Sequence, residues 1–405
     1  LWSAGLAWQI NHEGFFHIDW LTNLKLRATY GHNGNISRLA SAYTTATYSS
    51  GGFTGTPFNV GYITGLSNPN LRWEQVAVFN LGLDFGAGRT LSGSIEYYRK
   101  HASDLIGAAP ADPTLGSVLN PGSPSYYYAN SATMNGSGID LQLEAHILDG
   151  LSPSTLKWTS NFILSKTVSK IQNYLLKTTA GVNYLDEHAV NPLVGRPIYA
   201  VNSYKWKGLD NVGDPMGYYD GKPSKDWTSI VNNTPIDSMV YNGPSQPTIF
   251  GALRNTFEWR HFSASFNISY KLGYYFRRPS ISYSDLFNHW TGNADYARRW
   301  QQPGDETRTI VPAAGDPNVV FRDKFYLNSN ALVEKADHIR LEDIVISYDL
   351  EKRDHPWLPF EKIRFYNYLS NLGLLWKANK SGIDPYYINI PKEARRISLG
   401  VNINF

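Results

Sequence analysis

The chain contains no cysteine, which rules out disulfide staples and thiolate metal sites. Charged side chains make up only 18% of its 405 residues, below the usual globular share of about a quarter. The net charge of +3, with no block of like charges, gives no footing for nucleic acid. No apolar run approaches the ~18 residues of a membrane helix, although a barrel strand needs only about ten residues of alternation. Enzymatic motifs are missing too: there is no Gly-x-Ser-x-Gly elbow, no phosphate loop and no His-Glu-x-x-His, and the ten histidines are scattered. These absences point to a non-enzyme without cofactor or resident metal. The chain opens on Leu1 inside a strand pattern, with neither Met nor leader, which reads as processing or fragmentation.

Aromatics, by contrast, are plentiful at 14%, with 12 Trp and 27 Tyr, suited to sugar-stacking surfaces and to membrane-interface girdles. The closing stretch ARRISLGVNINF (394–405) alternates strictly, with Ile397, Leu399, Val401, Ile403 and Phe405 on one face. That period marks a strand with one dry side and one wet side. The same period recurs at 1–10, 21–30, 74–86, 90–100, 138–147, 156–167, 248–259, 262–272, 338–350 and 362–370, giving eleven strands. Counted back from Phe405, every second connection is long: 372–393, 274–337, 169–246, 101–135 and 32–73. Those between are short. A soluble sandwich has no physical reason to sort its loops by parity. An outer-membrane barrel does, with short periplasmic turns and longer extracellular loops. The predicted fold is therefore all-β, an antiparallel transmembrane β-barrel segment with its C-terminus on the periplasmic side.

Wet-face residues such as Arg27, Asp84, Glu96, Asp140, Glu144 and Lys271 are expected in the lumen. Trp73, Trp158, Trp259 and Tyr348 fall where lipid-interface girdles sit. The leading region for a substrate or partner is the loop 274–337. There Tyr274, Tyr275, Phe276, Trp290, Tyr296 and Trp300 interleave with Arg277, Arg278, Arg298 and Arg299. Aromatic faces stack on sugar rings, and arginine forks take carboxylates or peptide carbonyls. The competing reading is that these aromatics pack the loop on itself or form the outer girdle. A further stretch, Asp210 to Asp214 with Asp220 and Gly221, resembles a calcium loop only loosely. Val212 supplies no oxygen at the third position, and Asp and Gly also serve turn geometry.

Six segments in order carry a family resemblance: NPNLRWEQVAVFNLGLDFG, SGSIEYYRKHASDLI, GSGIDLQLEA, GRPIYAVNSYKWKGLD, HIRLEDIVISYDL and the terminal Phe405. Together they resemble the SusC/RagA-like TonB-dependent outer-membrane transporters. The resemblance implies a 22-stranded barrel with a plug in its lumen, of which residues 1–405 would be the C-terminal half. The plug and TonB-binding segment would lie outside this chain. It further implies energised uptake of glycan or peptide oligomers in the outer membrane of a Gram-negative cell. The implied partners are a SusD-like surface lipoprotein acting as a lid, TonB–ExbB–ExbD through the missing N-terminal part, and the other half of the barrel. Lipid and lipopolysaccharide would surround the wall, and Phe405 would be the signal read by the barrel-assembly machinery. Two other functions stay open at this point: a non-transport docking platform for surface proteins, and a soluble carbohydrate-binding β-protein. The half-barrel reading predicts that strands 1–10 and 394–405 do not pair with each other.

Overall fold

The computed structural model describes residues 1–35, 43–50, 59–110, 126–149, 155–176, 179–388 and 390–405. Eleven strands form one antiparallel sheet: β1 (Trp2–Gln9), β2 (Leu21–Asn35), β3 (Glu74–Ala87), β4 (Leu91–Pro110), β5 (Tyr126–Asp149), β6 (Lys157–Tyr174), β7 (Ile249–Trp259), β8 (Phe262–Leu272), β9 (His338–Glu351), β10 (Lys362–Lys377) and β11 (Arg396–Asn404). Each pairs with its neighbours in this order, and β1 and β11 stand at the two ends without pairing to each other. The expected count and the expected open edges are both found. Short connections at 10–20, 88–90, 150–156, 260–261 and 352–361 alternate with long ones, so the loop parity is preserved. Among the described residues no helix is long and apolar enough to cross a membrane.

The register explains the alternation. One row of facing residues runs Leu24–Phe85–Gly93–Leu143–Phe162–Leu253–Ile268–Leu341 across eight strands. Because side chains alternate, one sheet face is apolar along such rows and the other polar. Near the short connections the apolar face becomes aromatic. Trp158 stacks on Phe257 at 5.4 Å, and Phe262 lies 4.7 Å from Tyr348. Trp73 sits at the opposite end, just before β3.

On the polar face, charges satisfy one another across strands. Arg27 binds Asp84 through two nitrogens at 2.7 and 2.8 Å and Glu96 at 2.7 Å. Arg254 reaches Asp343 at 3.0 Å, and Lys362 and Arg364 each reach Asp349 at 2.7 Å. Asp140 faces Glu96 in register, while Lys271 sits 4.3 Å over the ring of Tyr386. The predicted wet-face set thus lies on one side of the wall.

Two long connections depart from expectation. The stretch 101–135, read as a loop, is largely strand: β4 and β5 continue their ladder from Ala102–Met134 to Pro110–Tyr126. Past Ser103, where pairing with β3 ends, HASDLIGAAP continues as a two-stranded ribbon with β5 alone, and its residues show no apolar alternation. Likewise the loop predicted from residue 32 begins later, since β2 runs to Asn35, and Thr45–Ser50 pairs with Asn59–Gly65 as a hairpin. Parts of both predicted loops lie outside the described residues.

Candidate functional site

The two longest connections, 175–248 and 273–337, do not hang separately; they pack on each other into one domain at the long-loop end of the wall. Its core holds Tyr184, Leu185, Tyr204, Ile230, Val231, Ile236 and Met239 from the first connection and Phe325 from the second. Three short helices frame it: α1 (Trp227–Asn233), α2 (Tyr283–His289) and α3 (Val320–Leu327). Asp226 caps α1 by accepting from the Ser229 N–H at 3.0 Å, and Ser282 caps α2 through the Asp285 N–H at 3.1 Å. Phe325 lies 6.0 Å from the Trp206 ring in a stacked arrangement, and Tyr204 donates to the Val231 carbonyl at 2.9 Å.

The sequence-selected residues divide into two groups here. Tyr274 and Phe276 are buried with Ala336 in a second small core, and the Tyr274 hydroxyl is 3.2 Å from His338 Nδ1. Tyr275 stands where Gly243, at φ +137°, leaves room for its ring. Arg277 donates to the carbonyls of Leu185 and Asn202 and pairs with Glu187 at 3.7 Å. Burial pushes the Glu187 carboxyl up, with Arg277 pulling the other way. Arg278, also buried, pairs with Asp295 and with Glu334 at 3.3 Å. Trp300 donates to Glu306 at 3.0 Å and lies against Gly213, a position at φ +82°. For these residues, packing of the loop on itself describes the arrangement.

The second group faces solvent. Trp290 is 93% exposed in left-handed backbone at φ +56°, an uncommon posture for a large side chain. Tyr296 carries the Arg299 guanidinium 4.1 Å above its ring, and Arg298 reaches back to Asp295 with most of its side chain in solvent. Beside them opens a cleft of about 450 Å³, lined by Arg278, Arg298, Arg299, Asp305 and Arg308 with Ile310 and Val311 beneath. Sequence reasoning missed Arg308. It lies nine residues beyond Arg299, and it returns to the cleft because the Thr309 hydroxyl donates to the Arg298 carbonyl at 2.6 Å.

The 210–221 stretch resolves into turns. Asp210 accepts from the N–H groups of Val212 at 3.0 Å and Asp214 at 2.8 Å. Lys225 Nζ sits between the two carboxylates, 2.7 Å from Asp210 and 3.3 Å from Asp214. Asp220 and Gly221, both at positive φ, make the two-residue turn between Tyr219 and Lys222. The place a cation would take is filled by an ammonium. Among the described residues there is no cluster of three or more potential metal ligands.

Also unforeseen was the strap formed by 378–395. Arg340 on β9 is 1% exposed, pairs with Asp384 and lies 4.2 Å from the Tyr386 ring. With Lys271 over the same ring, Tyr386 pins this connection to the polar face of the wall.

Comparison with known proteins places this geometry in context. Residues 1–274 match the family model described as TonB dependent receptor-like, beta-barrel. TonB-dependent receptor P3 of Formosa agariphila is 22% identical over 95% of this chain and 38% of its own length. TonB-dependent receptor SusC of Bacteroides thetaiotaomicron is 25% identical over 71% of the chain and 29% of its own length. Among solved structures, the RagAB peptide importer in the open-open state superimposes with a TM-score of 0.75 at 19% identity, covering 100% of this chain and 42% of that one. The RagAB peptide transporter gives 0.74 at 18% identity, with 100% and 43% covered. The chain thus spans well under half the length of the relatives it matches.

Proposed function

Since this chain belongs to the TonB-dependent receptor-like β-barrel family, we propose that it builds part of the wall and outer loops of an energised nutrient importer. Its location is the outer membrane, where the apolar face of the sheet meets lipid and the ion-paired face lines the lumen. The open edges at β1 and β11 would be met by further strands, completing a larger barrel around a plug that couples to TonB. Oligomeric cargo, glycan or peptide, would be captured at the long-loop end under a surface lipoprotein lid. It would then pass inward along the polar face when the plug moves. No bond in the cargo needs to be broken for this.

The observation that supports the reading most is the division of the outer surface. Packing of the two long connections leaves an outer surface with Trp290, Tyr296 and Arg298 exposed and Arg299 half-buried at the cleft, while the other candidates are held inside. Its aromatic and arginine chemistry suits sugars and peptides alike. The exposure of Trp290 also favours a second reading, in which this outer surface docks a surface protein without transport. Growth of cells lacking the gene on glycan or peptide oligomers as sole nutrient separates the two. Uptake predicts loss of growth on one oligomer class and rescue by the intact gene. Unimpaired growth on every class, with a surface protein lost from the membrane, would establish the docking role instead.

A further inference from the structure

We propose that the cleft bordered by Arg298, Arg299 and Arg308 recognises a carboxylate at one end of the cargo. The acids nearby are already committed. Asp295 is 2% exposed and shared between Arg278, Ser280 and Arg298. Asp305 accepts from the Gln301 and Gln302 N–H groups at 3.0 and 3.1 Å. Glu306 accepts from the Trp300 indole at 3.0 Å and the Gly304 N–H at 2.8 Å. Among the described residues, Arg299 and Arg308 have no carboxylate partner although they line one cleft.

Most surface arginines sample many rotamers in water, and holding one still opposes binding. Arg299 has been held still in advance. Its guanidinium is stacked 4.1 Å above Tyr296 and donates to the Tyr296 carbonyl at 3.0 Å, which leaves further N–H groups of the fork free. Two forks at one cleft match the planar, bidentate geometry of a carboxylate. The cleft is not a bare anion hole, because Ala297, Ile310 and Val311 form an apolar floor. That combination selects a carboxylate borne on an apolar or ring-bearing stem. A peptide C-terminus and a uronic-acid residue both present this chemistry.

The inference rests on the importer reading, but the two fail separately because binding is measured without transport. Full-length protein in detergent micelles is titrated calorimetrically with four probes: Ala-Ala-Ala-Leu, its C-terminal amide, trigalacturonate and maltotriose. A carboxylate probe is expected to bind at least about tenfold more tightly than its neutral counterpart, a difference of roughly 1.4 kcal/mol. Binding of the free peptide alone assigns the peptide terminus, and binding of trigalacturonate alone assigns the uronate. Arg308→Gln, which breaks no ion pair or side-chain hydrogen bond among the described residues, should erase the preference, and Arg308→Lys should keep part of it. Equal affinity for acid and neutral probes, no binding of either, or a preference unchanged in Arg299→Gln/Arg308→Gln would overturn the proposal. So would loss of a co-purifying lipoprotein in that variant with probe binding intact, which would make the cleft a docking surface. In none of these cases is the growth phenotype affected as evidence for import.

Discussion

The strand wall and the loop domain spend the same kinds of residue in opposite ways. On the wall, Leu6 and Leu399 are 83% and 80% exposed, whereas in the loop domain Val231 and Phe325 are at 0%. Apolar side chains leave water in both places, but the wall delivers them to lipid and the loop domain to each other. Each region is hydrophobically ordered with respect to its own solvent. A domain obeying ordinary soluble rules therefore stands on a scaffold that inverts them.

The sharpest way to break this contrast is Phe325→Ala. Emptying a core site of this size costs about 3–5 kcal/mol, and the loss should stay in the loop domain. Limited proteolysis should open 175–248 and 273–337 together, while heat-modifiable migration of the barrel is retained. If wall and loop domain fail together, they are one cooperative unit and the contrast is false. Next in size is Leu81→Arg on the apolar face, between Ala28 and Tyr97 in register. Near mid-membrane an arginine there should cost about 2–4 kcal/mol on refolding into vesicles. Little or no cost would mean that this face does not meet lipid.

The smallest effect expected is one of pH. Burial pushes the Asp295 carboxyl up, but hydrogen bonds from Arg278, Ser280 and Arg298 more than offset it, holding it below the usual aspartate range. A depressed value stabilises the folded state above the unfolded pKa of about 4, and the stabilisation is lost as pH falls through the folded value. Burial raises Glu187 and Asp323, which act in the opposite sense and gain protons first. Pepsin should therefore nick the loop domain faster only below about pH 4, with the wall unaffected. In Asp295→Asn the acid dependence should flatten.

What the sequence made legible follows from the same contrast. Period two is a local signal, and lipid enforces it, so Ile139 to Ala145 or Ile397 to Ile403 announce a strand and its dry face directly. Loop parity then gave direction. Above the membrane that enforcement ends, and the ladder of Ala102 to Pro110 with Tyr126 to Met134 left no alternation to read. The loop domain was illegible for another reason. Its core joins Phe325 to Tyr204 across more than a hundred residues, and its helices span only seven or eight residues, too few for a clear helical period. Composition did mark 274–337 as rich in aromatics and arginines. It could not separate Arg277 and Arg278, spent on internal carbonyls and carboxylates, from Arg299, which faces the cleft. Partner identity is a tertiary property, and Arg308 entered the cleft only through the fold.

The joint core of the loop domain also sets a timetable. Residues 175–248 precede β7 and β8 in the chain, and 273–337 follow them. In the folded wall the β7–β8 hairpin spans the sheet and returns to the long-loop end, and that return brings Phe325 into one core with Ile230. The outer domain is therefore expected to become stable only once that hairpin is seated, because the hairpin fixes the separation of its two halves. A conformational probe that sees Phe325 buried is accordingly a clock for biogenesis, reporting that this sector of the wall is already in place.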